Sequence, residues 1–328
     1  MNNKDIQSIC SLREEWHPGN IKLEKTGGQT NRNWIVDYKG ERFFVRLPWQ
    51  MAGIVDRQVE SQNVLALMKN DKASKITPRV HLYLMGKKNI LGGSSEYNLP
   101  DGAMVTDYIE GKDIDGKDLE DPEIQSSLVK TLYNFHSSGV KFVNPYDVFQ
   151  NEVDKYKEKA LGYEVSQLID KEKIKRIEEI EREAKKNLQE KSGISTHNDL
   201  IFENLRLSRD KKVFLLDFEY AGFNIRDGLN YDIGIILGGN LFQENPISFE
   251  SYEKKIKKAS SVYNKDFDFQ EVLFGALTNI LVMFWWGLVK YFNSEDKEEK
   301  DYFEKYATER SVKITEIFEL INKKRGVI

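Results

Sequence analysis

The chain is short of the residues that would make it a secreted, disulfide-stapled or nucleic-acid-binding protein. One cysteine among 328 residues, Cys10, excludes an internal disulfide and fits a reducing compartment. Charge of neither sign dominates: 49 Lys and Arg stand against 53 Asp and Glu, a formal net charge of −4. A nucleic-acid partner is therefore not expected. The opening MNNKDIQSICSLREEW has no apolar stretch of the kind a secretory leader needs, so no signal peptide is expected and the location predicted is cytoplasmic. Long uncharged runs are nearly absent as well. The exception, Val272 to Val289, contains Gly275, Thr278, Asn279 and Gly287 and reads as a buried helix rather than a membrane span. No internal repeat or low-complexity tract is present. Hydrophobic residues make up 40%, enough to pack one two-lobed unit or two modest domains.

What the chain does have is concentrated between Ser195 and Gly234. His197-Asn198-Asp199 is followed five residues later by Asn204, and a second carboxylate, Asp217, ends the apolar run Val213-Phe214-Leu215-Leu216. This is the H-x-D-x-x-x-x-N spacing of a kinase catalytic loop, followed by a strand ending in a metal-binding aspartate. Phosphoryl transfer needs a carboxylate to orient the acceptor hydroxyl and take its proton, the part assigned to Asp199. It also needs hard oxygen ligands for Mg²⁺, the part assigned to Asn204 and Asp217. Leu205-Arg206-Leu207 and Val213–Leu216 are predicted strands, with Lys211-Lys212 in the turn between them.

HNDLIFEN, then LLDFEYAGFN, then YDIG, is similar to the choline/ethanolamine kinase family, and most to its bacterial members, within the wider group of aminoglycoside-phosphotransferase-like and protein kinases. The resemblance implies an α+β, two-lobed protein-kinase-like fold. A β-rich nucleotide-binding lobe would span residues 1–106 and a mostly helical catalytic and substrate-binding lobe residues 107–328. It also implies ATP and Mg²⁺ as cofactors and a small amino alcohol, choline first, as substrate. Ethanolamine, thiamine or an aminoglycoside are the alternatives, and a catalytically inactive ligand-binding module is the rival from another class. His197 and Asp232 are expected to support the loop rather than react, and Glu219 to stand close to the substrate or the metal.

Along the rest of the chain, a helix is predicted over Asp5–Trp16 and strands over Ile21–Lys25, Trp34–Tyr38 and Arg42–Leu47. The glycine pair before the second strand, in GGQTN, lets backbone approach phosphates closely, which makes Gly28, Thr30 and Asn31 candidate nucleotide contacts. The resemblance places Arg46 where protein kinases carry a strand lysine, and Glu60 as its ion-pair partner. A guanidinium can grip phosphate oxygens in two places. The segment Ala103 to Gly111 resembles the hinge, with Asp107 and Ile109 presenting backbone to an adenine. Glu152 to Ser192, dense in Lys and Glu, reads as surface helices. Near the C-terminus, Phe284-Trp285-Trp286-Gly287-Leu288 resembles the family segment FFWGLW, with Val289 in place of its second tryptophan. Asp301 to Ala307 resembles the family's last helix. A quaternary ammonium offers no hydrogen bond and is best held by aromatic faces, so Trp285, Trp286, Tyr302 and Tyr306 are the candidate walls.

Overall fold

In the computed structural model, which describes residues 3–27, 31–48, 55–191, 193–243 and 249–324, the chain alternates early and turns helical late. The first elements are α1 (Asn3–Cys10), β1 (Ile21–Thr26), β2 (Asn31–Tyr38), β3 (Glu41–Pro48) and α2 (Arg57–Lys69). Then come β4 (Val80–Met85), β5 (Lys88–Asn89), β6 (Met104–Asp107), β7 (Gly111–Asp113) and α3 (Pro122–His136). The middle holds β8 (Pro145–Tyr146), α4 (Asp154–Leu161), α5 (Lys171–Asn187), β9 (Ile194–Thr196), β10 (Leu205–Ser208), β11 (Val213–Leu215) and β12 (Gly222–Asn224). Four helices close the chain: α6 (Gly228–Gln243), α7 (Phe249–Tyr263), α8 (Phe269–Asn293) and α9 (Lys297–Lys324).

These elements form two compact units. The first comprises Met1–Asn144 and Glu203–Ala221, the second Pro145–Phe202 and Gly222–Ile328. The compact division therefore falls elsewhere than at residue 106. The reason is local. Thr131 of α3 donates to the carbonyl of Val213 on β11, and β10 pairs with β7, so α3 and the 205–215 hairpin stay with the N-terminal sheet.

In the first unit a six-stranded antiparallel sheet runs in the order β1-β2-β3-β6-β4-β5. Alternation builds it: Trp34, Val36, Phe43, Val45, Leu82, Leu84 and Val105 turn inward, where Ile9, Leu12 and Trp16 cover them. The first helix is shorter than Asp5–Trp16. The Ser11 hydroxyl takes the carbonyl of Ser8, and the chain turns there while still burying Leu12 and Trp16. Asp56 caps α2 through the amides of Gln58 and Val59, which puts Glu60 on the first turn.

The second unit is organised on α8, against which α4, α5, α6 and α9 pack. It is long and apolar enough to cross a membrane, but 89% of its apolar window is buried inside the unit. Helices α6 and α8 meet backbone to backbone. A Cβ on Gly234 would lie 2.5 Å from the Val272 carbonyl, and one on Gly275 would lie 2.4 Å from that of Asn230. Neither position has room for a side chain. A small sheet, β8-β12-β9, lies in the same unit, with Gly222 opposite Thr196 and Asn224 opposite Ile194.

Candidate active site

In the first unit, hairpin register sets the geometry. Leu205 pairs with Leu215, so Asn204 and Leu216 are neighbours where the two strands meet, and the Leu216 amide donates to the Asn204 carbonyl at 2.9 Å. The next residue, Asp217, turns out of the strand at φ 53°, a left-handed conformation that costs an L-residue and is found where a site demands it. Asn204 and Asp217 thus leave the same end of one hairpin.

Behind Asp217 lies a buried charge cluster. Arg46, 2% exposed, holds Glu60 at 2.5 Å, Asp217 at 3.2 Å and the Gly102 carbonyl at 3.2 Å. Arg57 reaches Glu60 at 2.6 Å, Glu219 at 3.3 Å and the Asn31 side chain at 3.0 Å. The Tyr83 hydroxyl donates to Glu60 at 2.6 Å. Burial works against charge on Arg46, but Glu60, Asp217 and Glu219 outweigh it and hold the guanidinium above its usual value. Burial likewise raises Glu60, yet Arg46 and Arg57 outweigh it and leave this carboxyl below the usual range. The other two carboxyls come out on the opposite side. Burial pushes Asp217 up against the pull of Arg46, and burial together with Asp217 pushes Glu219 to about 8.

This cluster is short of positive charge, since three carboxyls face two guanidiniums. Oxygens of Glu60, Asp217 and Glu219 lie within 4.8 Å of one another. Glu60 is already saturated by two arginines and a tyrosine. Asp217 and Glu219 are the carboxyls that a hard divalent cation would relieve, with Asn204 beside them on the hairpin, so the donor set fits such an ion. Glu219 lies within this cluster, against Arg57 and beside Glu60 and Asp217. Arg57 and Tyr83 were not legible as site residues. The i, i+3 spacing of Arg57 and Glu60 was the signal available for the first, and the second had none.

Other nucleotide-side candidates are placed as follows. Asn31, buried, accepts from Arg57. Asp107 donates its amide to the Arg79 carbonyl and accepts the Thr106 hydroxyl on its own, while its carboxylate meets His81 at 2.6 Å. The Ile109 carbonyl accepts from Arg206 at 3.1 Å. These hinge atoms are tied within the unit. Gly28 and Thr30 lie outside the described residues.

In the second unit the loop after β9 is clamped from below. The amides of His197 and Asn198 donate to the two oxygens of Asp232, each at 2.9 Å, and all three residues are buried. Asn198 takes φ 68°, with its side-chain oxygen held by Thr196 and Asn224. The Asp199 amide then faces His197 Nδ1 at 3.4 Å. The loop that carries Asp199 is thus supported by one buried carboxylate, its own backbone amides and the side chains of Thr196 and Asn224.

Near Asp199 lies a buried polar cluster that pattern reading assigned to a solvated surface. Glu152 sits in a π-helical turn, Phe149–Val153, is 8% exposed, and accepts the Tyr146 hydroxyl. Burial pushes it to about 8, Tyr146 pulls the other way, and Asp199 adds to the rise. Tyr231, one residue before Asp232, lies beside Tyr146 and Asn279. Its buried hydroxyl faces both without a well-aligned hydrogen bond among the described residues.

From Asn279 a stripe runs along α8. Between Val272 and Val289 only Met283 and Trp286 are less than fully buried, and with Asn279 and Lys290 they share one helix face. The Trp286 ring packs edge-on against Phe303 and Tyr306 at 5.4 and 5.5 Å. Gly287 makes room for Tyr306, since a Cβ there would lie 2.7 Å from that ring. Two cations already sit on these rings, Lys290 over Trp286 at 5.5 Å and Arg310 over Tyr306 at 3.0 Å. Tyr302 is exposed and packs on Phe303 and Tyr306. Trp285 leaves the wall: it is 0% exposed and donates its indole N–H to Glu181, because adjacent helical residues point about 100° apart.

Comparison with known proteins gives this geometry a context. The family described as choline/ethanolamine kinase matches residues 26–267. Protein LicA of Haemophilus influenzae is 27% identical over 229 residues, 67% of this chain and 59% of that protein. A probable ethanolamine kinase of Arabidopsis thaliana is 29% identical over 143 residues, 40% of this chain and 36% of that one. The matched region thus spans less than two thirds of the length of either relative. The crystal structure of choline kinase LicA from Streptococcus pneumoniae superposes with a TM-score of 0.68 at 18% identity, covering 94% of this chain and 98% of that one. The fold is therefore the α+β, protein-kinase-like one.

Proposed function

The chain belongs to the choline/ethanolamine kinase family, and from that premise we propose that it transfers the γ-phosphoryl group of ATP to the hydroxyl of choline. The observation that carries the reading is the clamp on the catalytic loop: successive amides of His197 and Asn198 donate to both oxygens of Asp232. A carboxylate held on such a loop is preorganised for proton work, so Asp199 orients the acceptor hydroxyl and takes its proton.

The nucleotide-side roles fall to the first unit. Arg46 supplies fixed positive charge for the phosphates, and Glu60 and Tyr83 hold it in place. Asn204 and Asp217, with Glu219 alongside, would hold Mg²⁺, which when bound neutralises charge on the β and γ phosphates. On the acceptor side, Trp286 offers an aromatic face to the trimethylammonium head. The work place is the cytoplasm, where ATP is available and Cys10 stays reduced.

The test is phosphate transfer from ATP across a panel of choline, ethanolamine, thiamine and an aminoglycoside. Choline is expected to give the highest kcat/KM. A clear preference for another alcohol overturns the substrate assignment. Transfer to none, with ATP binding intact, overturns the kinase reading itself.

A further inference from the structure

We propose that Glu152 is a second acceptor-site carboxyl: it receives the positive head of the amino alcohol and gives up its proton to solvent as that cation enters. The proposal rests on the acceptor reading above and adds to it a residue and a linked proton.

The argument begins with charge. The aromatic cluster at Trp286 and Tyr306 carries two cations of its own, Lys290 and Arg310. Cation–π attraction worth about 0.5–2 kcal/mol cannot by itself draw a further cation against two like charges. Anionic partners are needed in the same unit. Asp199 is one, but it is assigned to the hydroxyl. Glu152 is the carboxyl placed with it, buried at 8% exposure, and among the described residues its one hydrogen bond comes from Tyr146. No ion pair reaches it among the described residues.

A buried carboxyl without a cation is costly unless it stays protonated. The groups that face it are Tyr146 from β8, Tyr231 from α6, Asp199 from the catalytic loop and Lys155 from α4. The two tyrosines are neutral and Asp199 repels its charge. Lys155, on its own stretch of chain, makes no ion pair with it. The result is a carboxyl that ionises near pH 8, held neutral until a cation comes.

The second observation is the Tyr231 hydroxyl, 0% exposed and set against Tyr146 and Asn279 without a well-aligned hydrogen bond among the described residues. A buried hydroxyl without a well-aligned bond has capacity left for a partner from outside the chain. Asn279 is also the first residue of the α8 stripe that leads through Met283 to Trp286, so this cluster and the aromatic wall stand on one helix face. The π-helical turn carrying Glu152 is a local departure of the kind often found at functional sites.

Choline is the suitable probe because its cation carries no titratable proton, so any proton released must come from the protein. Calorimetric titration of choline is run in buffers of different ionisation enthalpy, with the protein already saturated with Mg²⁺ and a non-hydrolysable ATP analogue. With Glu152 ionising near pH 8, binding should release about 0.9 proton at pH 7 and about 0.1 at pH 9. Choline affinity should rise about tenfold between those pH values. Glu152→Gln should abolish both the release and the pH dependence. Tyr146→Phe, which keeps the carboxyl but removes the bond that favours its ionisation, should move the midpoint to higher pH. Choline binding without proton release, or release that survives in Glu152→Gln, overturns the proposal alone. Absence of choline binding and turnover at every pH overturns the choline reading, and this proposal with it.

Discussion

The two units solve the problem of burying a carboxylate in opposite ways. In the first, Glu60 is ionised because two guanidiniums and a tyrosine hydroxyl meet it, and Asp217 and Glu219 share what positive charge is left. In the second, Asp232 lies fully buried and accepts two backbone amides, while Glu152 accepts a tyrosine hydroxyl and makes no ion pair among the described residues. Charge pairing produces a cluster that depends on every member and leaves Asp217 and Glu219 short of positive charge. Amide pairing ties the backbone of a loop directly to one buried carboxylate. The difference tells which residues should tolerate isosteric replacement and which should not.

The sharpest break is expected in the second unit. Asp199→Asn keeps size and hydrogen-bonding capacity but cannot take a proton, so kcat should fall by roughly 10²–10⁴ with ATP affinity nearly unchanged. Near wild-type turnover in single-turnover assays would remove Asp199 from the chemistry. In the first unit, Glu60→Gln leaves Arg46 and Arg57 buried with too little negative charge. It should destabilise the fold by about 3–5 kcal/mol in urea titrations, the usual loss for one partner of a buried pair. A loss below about 1 kcal/mol, typical of exposed pairs, would show that Asp217 and Glu219 suffice.

Asp217→Ala should raise the Mg²⁺ concentration at half-maximal activity by about tenfold or more, since neutral Asn204 cannot replace an anionic ligand. An unchanged magnesium titration would show that Asp217 is no ligand. Trp286→Ala should raise the choline KM by about two- to thirty-fold, with the KM for ATP little moved. Trp286→Leu restores packing without the π face, and recovery of affinity in that variant would make the tryptophan mere core. A further effect concerns pH and stability. Glu152 ionises near pH 8 in the fold, above its ordinary value near 4.5, so the stability it contributes is full below about pH 4.5 and is lost as pH rises towards 8. Glu152→Gln should therefore gain in Tm relative to wild type between pH 5 and 9, as read by thermal melts. A constant difference across that range contradicts the buried, neutral carboxyl.

Legibility in the sequence followed contact distance along the chain. The loop, Asn204, the hairpin and Asp217 lie within 21 residues of one another, so spacing alone carried them. Arg46 and Glu60 came from resemblance, and an ion pair 14 residues apart is within reach of a strand and the helix after it. Arg57 and Tyr83 join that pair through folding that no local pattern announces. Glu152 was read with its charged neighbours as a solvated face, because composition cannot tell which glutamate of a lysine-rich stretch turns inward. Trp285 failed for the opposite reason. It is buried against Glu181 while Trp286, one residue on, faces Phe303 and Tyr306, because on a helix one residue is a different face.

The glycines at the crossing of α6 and α8 have a mechanical consequence. At Gly234 and Gly275 no side chain stands between the two helices, and backbone bears directly on backbone. α6 carries the aspartate that clamps the catalytic loop, and α8 carries Asn279 and Trp286. With backbone seated on backbone, neither helix can slide without dragging the other. The 197–199 loop and the Trp286 face of α8 are thus tied through one backbone-to-backbone crossing, and a shift of either helix is passed to the other.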